Sequence, residues 1–146
     1  MGGRGEKRAL PMVAREAVEW NLSHRDADEY LQKRKVLDAA CRDIGRDPSS
    51  IRHSVMATVI IGRDRSELRE RALRMRDVIP RLAGLDADEI LASVGEHGLV
   101  GTPDEIAETI RKHSALGVDL FMLQHFLLDD RDVLKLIASD VMPAVA

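Results

Sequence analysis

The sequence has few of the residues that would specify several common protein classes. It contains one cysteine, Cys41. That excludes an internal disulfide and any zinc site built on cysteines, and it suits a reducing compartment such as the cytoplasm. Aromatic residues make up only 3% of the chain, so its core must be aliphatic. Neither charge dominates: the net charge is -3 and the pI about 5.9, which argues against a general nucleic-acid binder. The charged N-terminus has no apolar segment of the signal-peptide kind, and no apolar run is long enough to span a bilayer. Neither low-complexity tracts nor internal repeats interrupt the chain.

What is present is 45% apolar and 32% charged over 146 residues, enough for one domain with a real core, 1–146. The chain opens on a glycine-rich loop, MGGRGEKR, that runs straight into an amphipathic helix. Such a loop normally follows a strand and presents backbone N–H groups to a phosphate, yet no apolar strand stands in front of it. In the helix, EKRALPMVAREAV, Leu10, Val13, Ala14 and Ala17 recur at helical spacing and share a face. Pro11 is tolerated because it lies near the first turn. VEWNL reads as a short, weak strand.

A second helix is expected from Asp26 to Ile44, with Leu37, Ala40, Cys41 and Ile44 inward and Gly45 as its stop. HSVMATVIIG is the clearest strand, β-branched and nearly continuous in apolar character, as in a parallel sheet buried on both faces. Ser66–Ile79 reads as a long helix with Leu68, Ala72, Met75 and Ile79 inward. A short helix starts at Asp86, which forms a capping box with Glu89. In GTPDEIAETIRKHSALG, Thr102 takes the N-cap, Pro103 the first turn, and Gly117 the stop. VDLFMLQHF is a further strand. DDRDVLKLIASDVM is a last helix, with Val133, Leu134, Ile137 and Val141 inward. Strands alternate with helices across links too long for hairpins, which gives an α/β fold of right-handed βα units on a parallel sheet.

The motifs GGRGEKR with VAREAVEWN, GRDPSSI, VGTPDEIAETI and GVDLFMLQHF, in this order, resemble the luciferase-like monooxygenases, a superfamily of flavin- and deazaflavin-dependent oxidoreductases. The resemblance covers essentially the whole chain. It implies a (β/α)8 barrel, for which about 250 residues are typical, so the chain would match its C-terminal half, three to four βα units. VEWN would be the sixth strand, HSVMATVIIG the seventh and VDLFMLQHF the eighth. The sequence would then begin inside a barrel, either as a truncated product or as a natural half-barrel.

The resemblance also implies sites. Gly2, Gly3, Arg4 and Gly5, with Lys7 and Arg8, would help hold the phosphate of FMN or of an F-420 type deazaflavin, because N–H groups at a helix start suit an anion. The alternative is an unstructured basic tail. Trp20 and Asn21 would lie at a strand's C-terminal end, the catalytic face of a barrel; Trp20 would either wall a ring-shaped ligand or pack in the core. Gln124 and His125 end the last strand on that face and alternate in direction, so at most one points inward. His125 would hydrogen-bond substrate or cofactor, or else be structural or solvent-facing. The remaining histidines, 24, 53, 97 and 113 by number, show no metal-ligand spacing.

RDRSELRERALRMRDVIPR is arginine-rich. Glu67 with Arg71, and Glu70 with Arg74, stand four apart as in a solvated helix. The sharper reading is a positive patch for an acidic partner such as an oligoglutamate tail. No nucleophile triad or paired carboxylates stand out, as expected where the cofactor carries the chemistry. Half a barrel leaves open sheet edges and uncovered apolar faces. The expected partner is therefore a second copy or a missing N-terminal half. Two functions remain open: an oxidoreductase fragment that needs its other half and is inactive alone, and a non-catalytic module that self-associates or binds an anion or a partner protein, with no cofactor bound.

Overall fold

The structure, a computed structural model, describes residues 1–23 and 26–146. Of the histidines weighed above, His24 lies outside the described residues. The chain divides into two compact units, 1–56 with 113–122 and 57–112 with 123–146.

In the first unit, helix α1 (Ala9–Glu16) precedes strand β1 (Glu19–Leu22), helix α2 (Ala27–Asp43), a 3-10 turn at Pro48–Ser50 and the first half of β2 (Arg52–Ile61). β1 and β2 run parallel, with Trp20 opposite His53 and Asn21 opposite Ser54. Alternation along the strands sorts the side chains onto two faces. Trp20, Leu22, His53 and Val55 are buried on one face, where Tyr30 of α2 packs on Trp20 and His53. The other face carries Glu19, Asn21 and Ser54, joined by hydrogen bonds.

α1 buries Leu10, Val13 and Ala14, the face its spacing predicts. It starts at Ala9 rather than Glu6, since residues 6–8 form a turn. α2 is capped by Asp26, whose side chain accepts the Glu29 N–H at 2.8 Å. It closes with Arg46 N–H donating to Cys41 O at 2.9 Å. Ile44, expected inward, is instead the C-cap and half exposed. The Arg46 guanidinium donates to Ala14 O and Ala17 O at 2.9 and 2.7 Å, a cation on the carbonyl end of α1 that satisfies otherwise unpaired acceptors.

In the second unit the latter half of β2 pairs in parallel with β3 (Leu99–Gly101); α3 (Arg65–Val78) and α4 (Ala87–Gly95) lie between them in the chain, and α5 (Pro103–Ala115) follows β3. β4 (Leu120–Gln124) also pairs with β2. Ile60, Leu68, Ala72, Met75, Leu82, Ile90, Val94 and Leu127 form one core cluster, with Ile79 packed on its edge. The Asp86–Glu89 capping box is present in both directions. At α5 the Glu105 carboxylate accepts the Thr102 N–H at 2.8 Å.

The sequence pattern does not predict β3. It is three residues long and ends on Gly101, at φ +152, where a Cβ would lie 2.6 Å from a Glu105 oxygen. Only glycine fits so close beneath that cap. The last helix departs from expectation too. α6 (Arg131–Leu136) passes into a π-turn, Ile137–Val141, before α7 (Met142–Val145). Ahead of that turn Leu134, expected inward, is exposed and Leu136 is buried in its place, while Val133 and Val141 are buried as their spacing predicts.

Candidate functional site

The N-terminal loop is docked rather than free. The Met1 ammonium donates to Glu19 O at 2.6 Å, Asn21 N–H donates to Met1 O at 2.8 Å, and Gly2 bridges Asn21 in parallel. The Trp20 indole N–H donates to Gly3 O at 3.0 Å. Residues 1–3 thus lie along β1 like the end of a further strand. Gly3 then turns with φ +136, and a Cβ there would stand 3.0 Å from the Ala9 methyl. This is the cradle geometry that glycine permits and other residues fill.

The start of α1 is open to an anion. Arg8, its N-cap, makes no side-chain cap, and no acidic residue stands in the first turn. Leu10 N–H is taken by Gly5 O at 3.0 Å; among the described residues the N–H groups of Lys7, Arg8 and Ala9 meet no backbone acceptor. Arg4 is committed to Glu29 at 3.1 Å, and the loop's acid, Glu6, to Lys33 at 2.8 Å. Lys7 and Arg8 have no ion-pair partner among the described residues and are exposed. A positive helix end, unbonded N–H groups and two uncommitted cations fit a phosphate, so the loop residues suit the phosphate arm of FMN or of a deazaflavin coenzyme.

Trp20 is fully buried. Tyr30 stacks on it at 5.9 Å and His53 meets it edge-on at 5.2 Å. Its ring is enclosed, and its polar atom serves the loop. Asn21 lies half-buried on the opposite sheet face. Its Nδ2 donates to Ser54 Oγ at 2.9 Å, and Ser54 Oγ donates to Glu19 Oε1 at 2.8 Å. Met122 Sδ is 3.8 Å from the same amide. The sequence offered Asn21 but not its partners; Ser54 and Glu19 become legible only once the register of β1 on β2 is known.

In the second unit, Gln124 ends β4 and His125 follows it, both half-buried. His125 Nε2 lies 3.2 Å from Asp130 O. The Asp130 carboxylate is buried. It accepts from Arg71 Nε at 3.0 Å and from Arg74 at 2.7 Å, and it caps α6 through the Val133 N–H at 3.4 Å. Burial raises its pKa, but the Arg71 hydrogen bond and charge, the Val133 N–H and Arg74 outweigh that and hold it below the usual range. Arg71 also donates to Ile61 O at 2.7 Å, at the end of β2.

The arginine-rich helix is therefore neither fully solvated nor a positive patch. Arg63 pairs with Glu67 and Asp132, Arg65 with Glu105, Arg69 with Asp88, Arg71 with Glu67 and Asp130, and Arg74 with Asp129 and Asp130. The Glu67–Arg71 pair expected from spacing forms at 3.0 Å, but Arg71 is buried. These carboxylates neutralise the surface that an acidic tail would need.

A cavity of about 400 Å³ opens among Arg34, Asp38, Asp47, Ser49, His53 and Asp119. It lies at the N-terminal ends of β2 and β4, the end that in barrels serves stability rather than catalysis. His53 Nδ1 is 2.8 Å from the Tyr30 hydroxyl, and the His53 N–H donates to Asp119 Oδ2 at 2.7 Å. Burial, then the Arg34 charge, push the His53 pKa below its ordinary value; burial pushes Tyr30 up. Among the described residues no cluster of side chains could hold a metal, and no helix is long and apolar enough to cross a membrane.

Comparison with known proteins agrees with this architecture. No curated protein matches the chain by sequence. Among solved structures, the coenzyme F420-dependent tetrahydromethanopterin reductase from Methanopyrus kandleri aligns with TM-score 0.71 at 14% identity, over 100% of this chain and 50% of that one. EDTA monooxygenase from Chelativorans sp. BNC1 aligns with TM-score 0.73 at 14% identity, over 99% and 43%. An F420-dependent secondary alcohol dehydrogenase aligns with TM-score 0.71 at 19% identity, over 99% and 48%. The chain thus spans half or less of the length of these structures, and its fold is a partial (β/α)8 barrel. The model of the luciferase-like monooxygenases matches residues 1–120, and the chain belongs to that family.

Proposed function

We propose that this chain supplies the cofactor-phosphate loop and a set of strand ends to a flavin- or deazaflavin-dependent oxidoreductase of the luciferase-like class. A complete site would also need βα units that these 146 residues do not contain. The observation that carries this reading is the start of α1: a glycine turn docked on β1, N–H groups without backbone acceptors, and exposed Lys7 and Arg8. Gly2, Gly3 and Gly5 let the backbone approach the phosphate, and Lys7 and Arg8 supply charge. Arg4 steadies the loop through Glu29, and Trp20 braces it through Gly3 O. Asn21 stands beside the loop with Ser54 and Glu19 behind it. The bound cofactor would supply the hydride or oxygen chemistry; this chain's residues bind and orient it.

The exposed apolar side chains Leu120 and Met122 of β4 favour association with a strand-bearing partner. The competing reading is a non-catalytic module that binds an anion or partner alone. Titration of the full chain with FMN and with riboflavin, followed by flavin fluorescence, separates them. The proposal expects FMN to bind at least tenfold tighter than riboflavin, with the difference lost in 0.5 M phosphate. Equal affinities, or no binding of either, would leave the module reading.

A further inference from the structure

We propose that His125 presents its Nδ1 as a fixed hydrogen-bond acceptor at the C-terminal end of β4, held there by the Asp130 carbonyl and by the Arg71–Asp130 pair behind it. Its ligand is a neutral group bearing a hydroxyl or an amide-type N–H. The inference rests on the reading of the strand ends as a ligand face.

A backbone carbonyl can only accept. The Nε2 that lies 3.2 Å from Asp130 O therefore carries the proton, and in neutral imidazole Nδ1 is then bare. A ring nitrogen's protonation is commonly set by the partner of the other nitrogen. Here that partner is itself immobilised. Asp130 N–H donates to Leu127 O at 2.9 Å, closing a turn. The Asp130 side chain is clamped by Arg71 Nε at 3.0 Å and Arg74 at 2.7 Å, and it caps α6. Arg71 reaches from α3 and is pinned to Ile61 O at 2.7 Å. Arg71 is thus a positioning residue for His125.

His125 is half-buried, and among the described residues no protein group hydrogen-bonds its Nδ1. A bare acceptor repels phosphates and carboxylates and pairs with a hydrogen-bond donor. A hydroxyl or amide N–H is the class that fits.

Long-range nitrogen–proton NMR of the full chain, 15N-labelled at histidine, reads the tautomer without any cofactor. The expected result is that the neutral form of His125 is a single tautomer, protonated at Nε2. R71K should broaden or mix the His125 tautomers while the far-UV circular dichroism stays unchanged. H125N, whose amide oxygen replaces Nδ1, should retain a ligand's affinity within threefold. H125Q, whose polar end replaces Nε2, should lose at least tenfold, with riboflavin, which carries hydroxyl and imide N–H groups and no phosphate, as the probe. A proton on Nδ1, or a tautomer that R71K leaves untouched in a folded chain, overturns the proposal. The NMR result stands whether or not FMN binds, so its failure is distinct from failure of the cofactor reading.

Discussion

Replacing Arg71 with methionine tests how much of the second unit depends on one buried cation. The guanidinium side chain is only 6% exposed and meets Asp130, Ile61 O and Glu67 at 3.0, 2.7 and 3.0 Å. Methionine fills most of the volume but leaves the Asp130 carboxylate, 7% exposed, with Arg74 as its remaining charge partner, and it removes the guanidinium bond to the Ile61 carbonyl. Breaking one side of a buried pair costs about 3–5 kcal/mol, a large part of the roughly 5–15 kcal/mol that holds such a chain folded. At about 2–4 °C per kcal/mol for chains near this length, Tm should fall by about 6–20 °C. Arg65 serves as control, since its pair with Glu105 is exposed on both sides; R65M should cost no more than about 1 kcal/mol. Thermal unfolding followed by circular dichroism measures both. If R71M and R65M lose the same stability, the Arg71 network is surface ornament and the account of α3 is wrong.

Other outcomes follow from the same geometry. G3A forces an alanine to φ +136 with its Cβ 3.0 Å from the Ala9 methyl; the strain is about 1–3 kcal/mol, and FMN affinity should fall while riboflavin affinity does not. W20F removes the indole bond to Gly3 O; the loop should exchange its amide protons faster while α2 keeps its protection, measurable by hydrogen exchange. His53 binds its proton less readily when folded than when unfolded. Stability should therefore decline as pH falls from its ordinary value near 6.5, and H53N should flatten that slope in denaturant titrations across pH 5–7. Light scattering of the full chain should show a mass above that of one copy, and M122E should return it toward the monomer.

Much of this fold is legible in the sequence because the signals are local. The Asp86–Glu89 box, the Pro103 start of α5 and the spacing of Leu10, Val13 and Ala14 each describe a helix by itself. The β-branched run of β2 does the same for a buried strand. β3 escaped because three residues carry no period, and the π-turn because one extra residue in a turn leaves no composition mark. Of the candidate site, the loop glycines and the place of Asn21 on a strand can be named in advance, since they follow from backbone freedom and position. The partnership of Asn21 with Ser54 and Glu19 depends on register across 33 residues, and that of Arg71 with Asp130 on tertiary packing across 59. An arginine that reads as solvated by its i, i+4 pair is buried because a second carboxylate, far along the chain, waits on its other side.

The claim on which the functional reading turns is that the start of α1 receives a phosphate. Nitrogen–proton correlation spectra of the 15N-labelled chain, recorded as FMN is added, address it residue by residue. The amides of Lys7, Arg8 and Ala9 should shift together and saturate, and riboflavin at equal concentration should leave them in place. If FMN leaves those three amides unmoved, or shifts instead those around Arg34, Ser49 and Asp119, the loop is not the phosphate site.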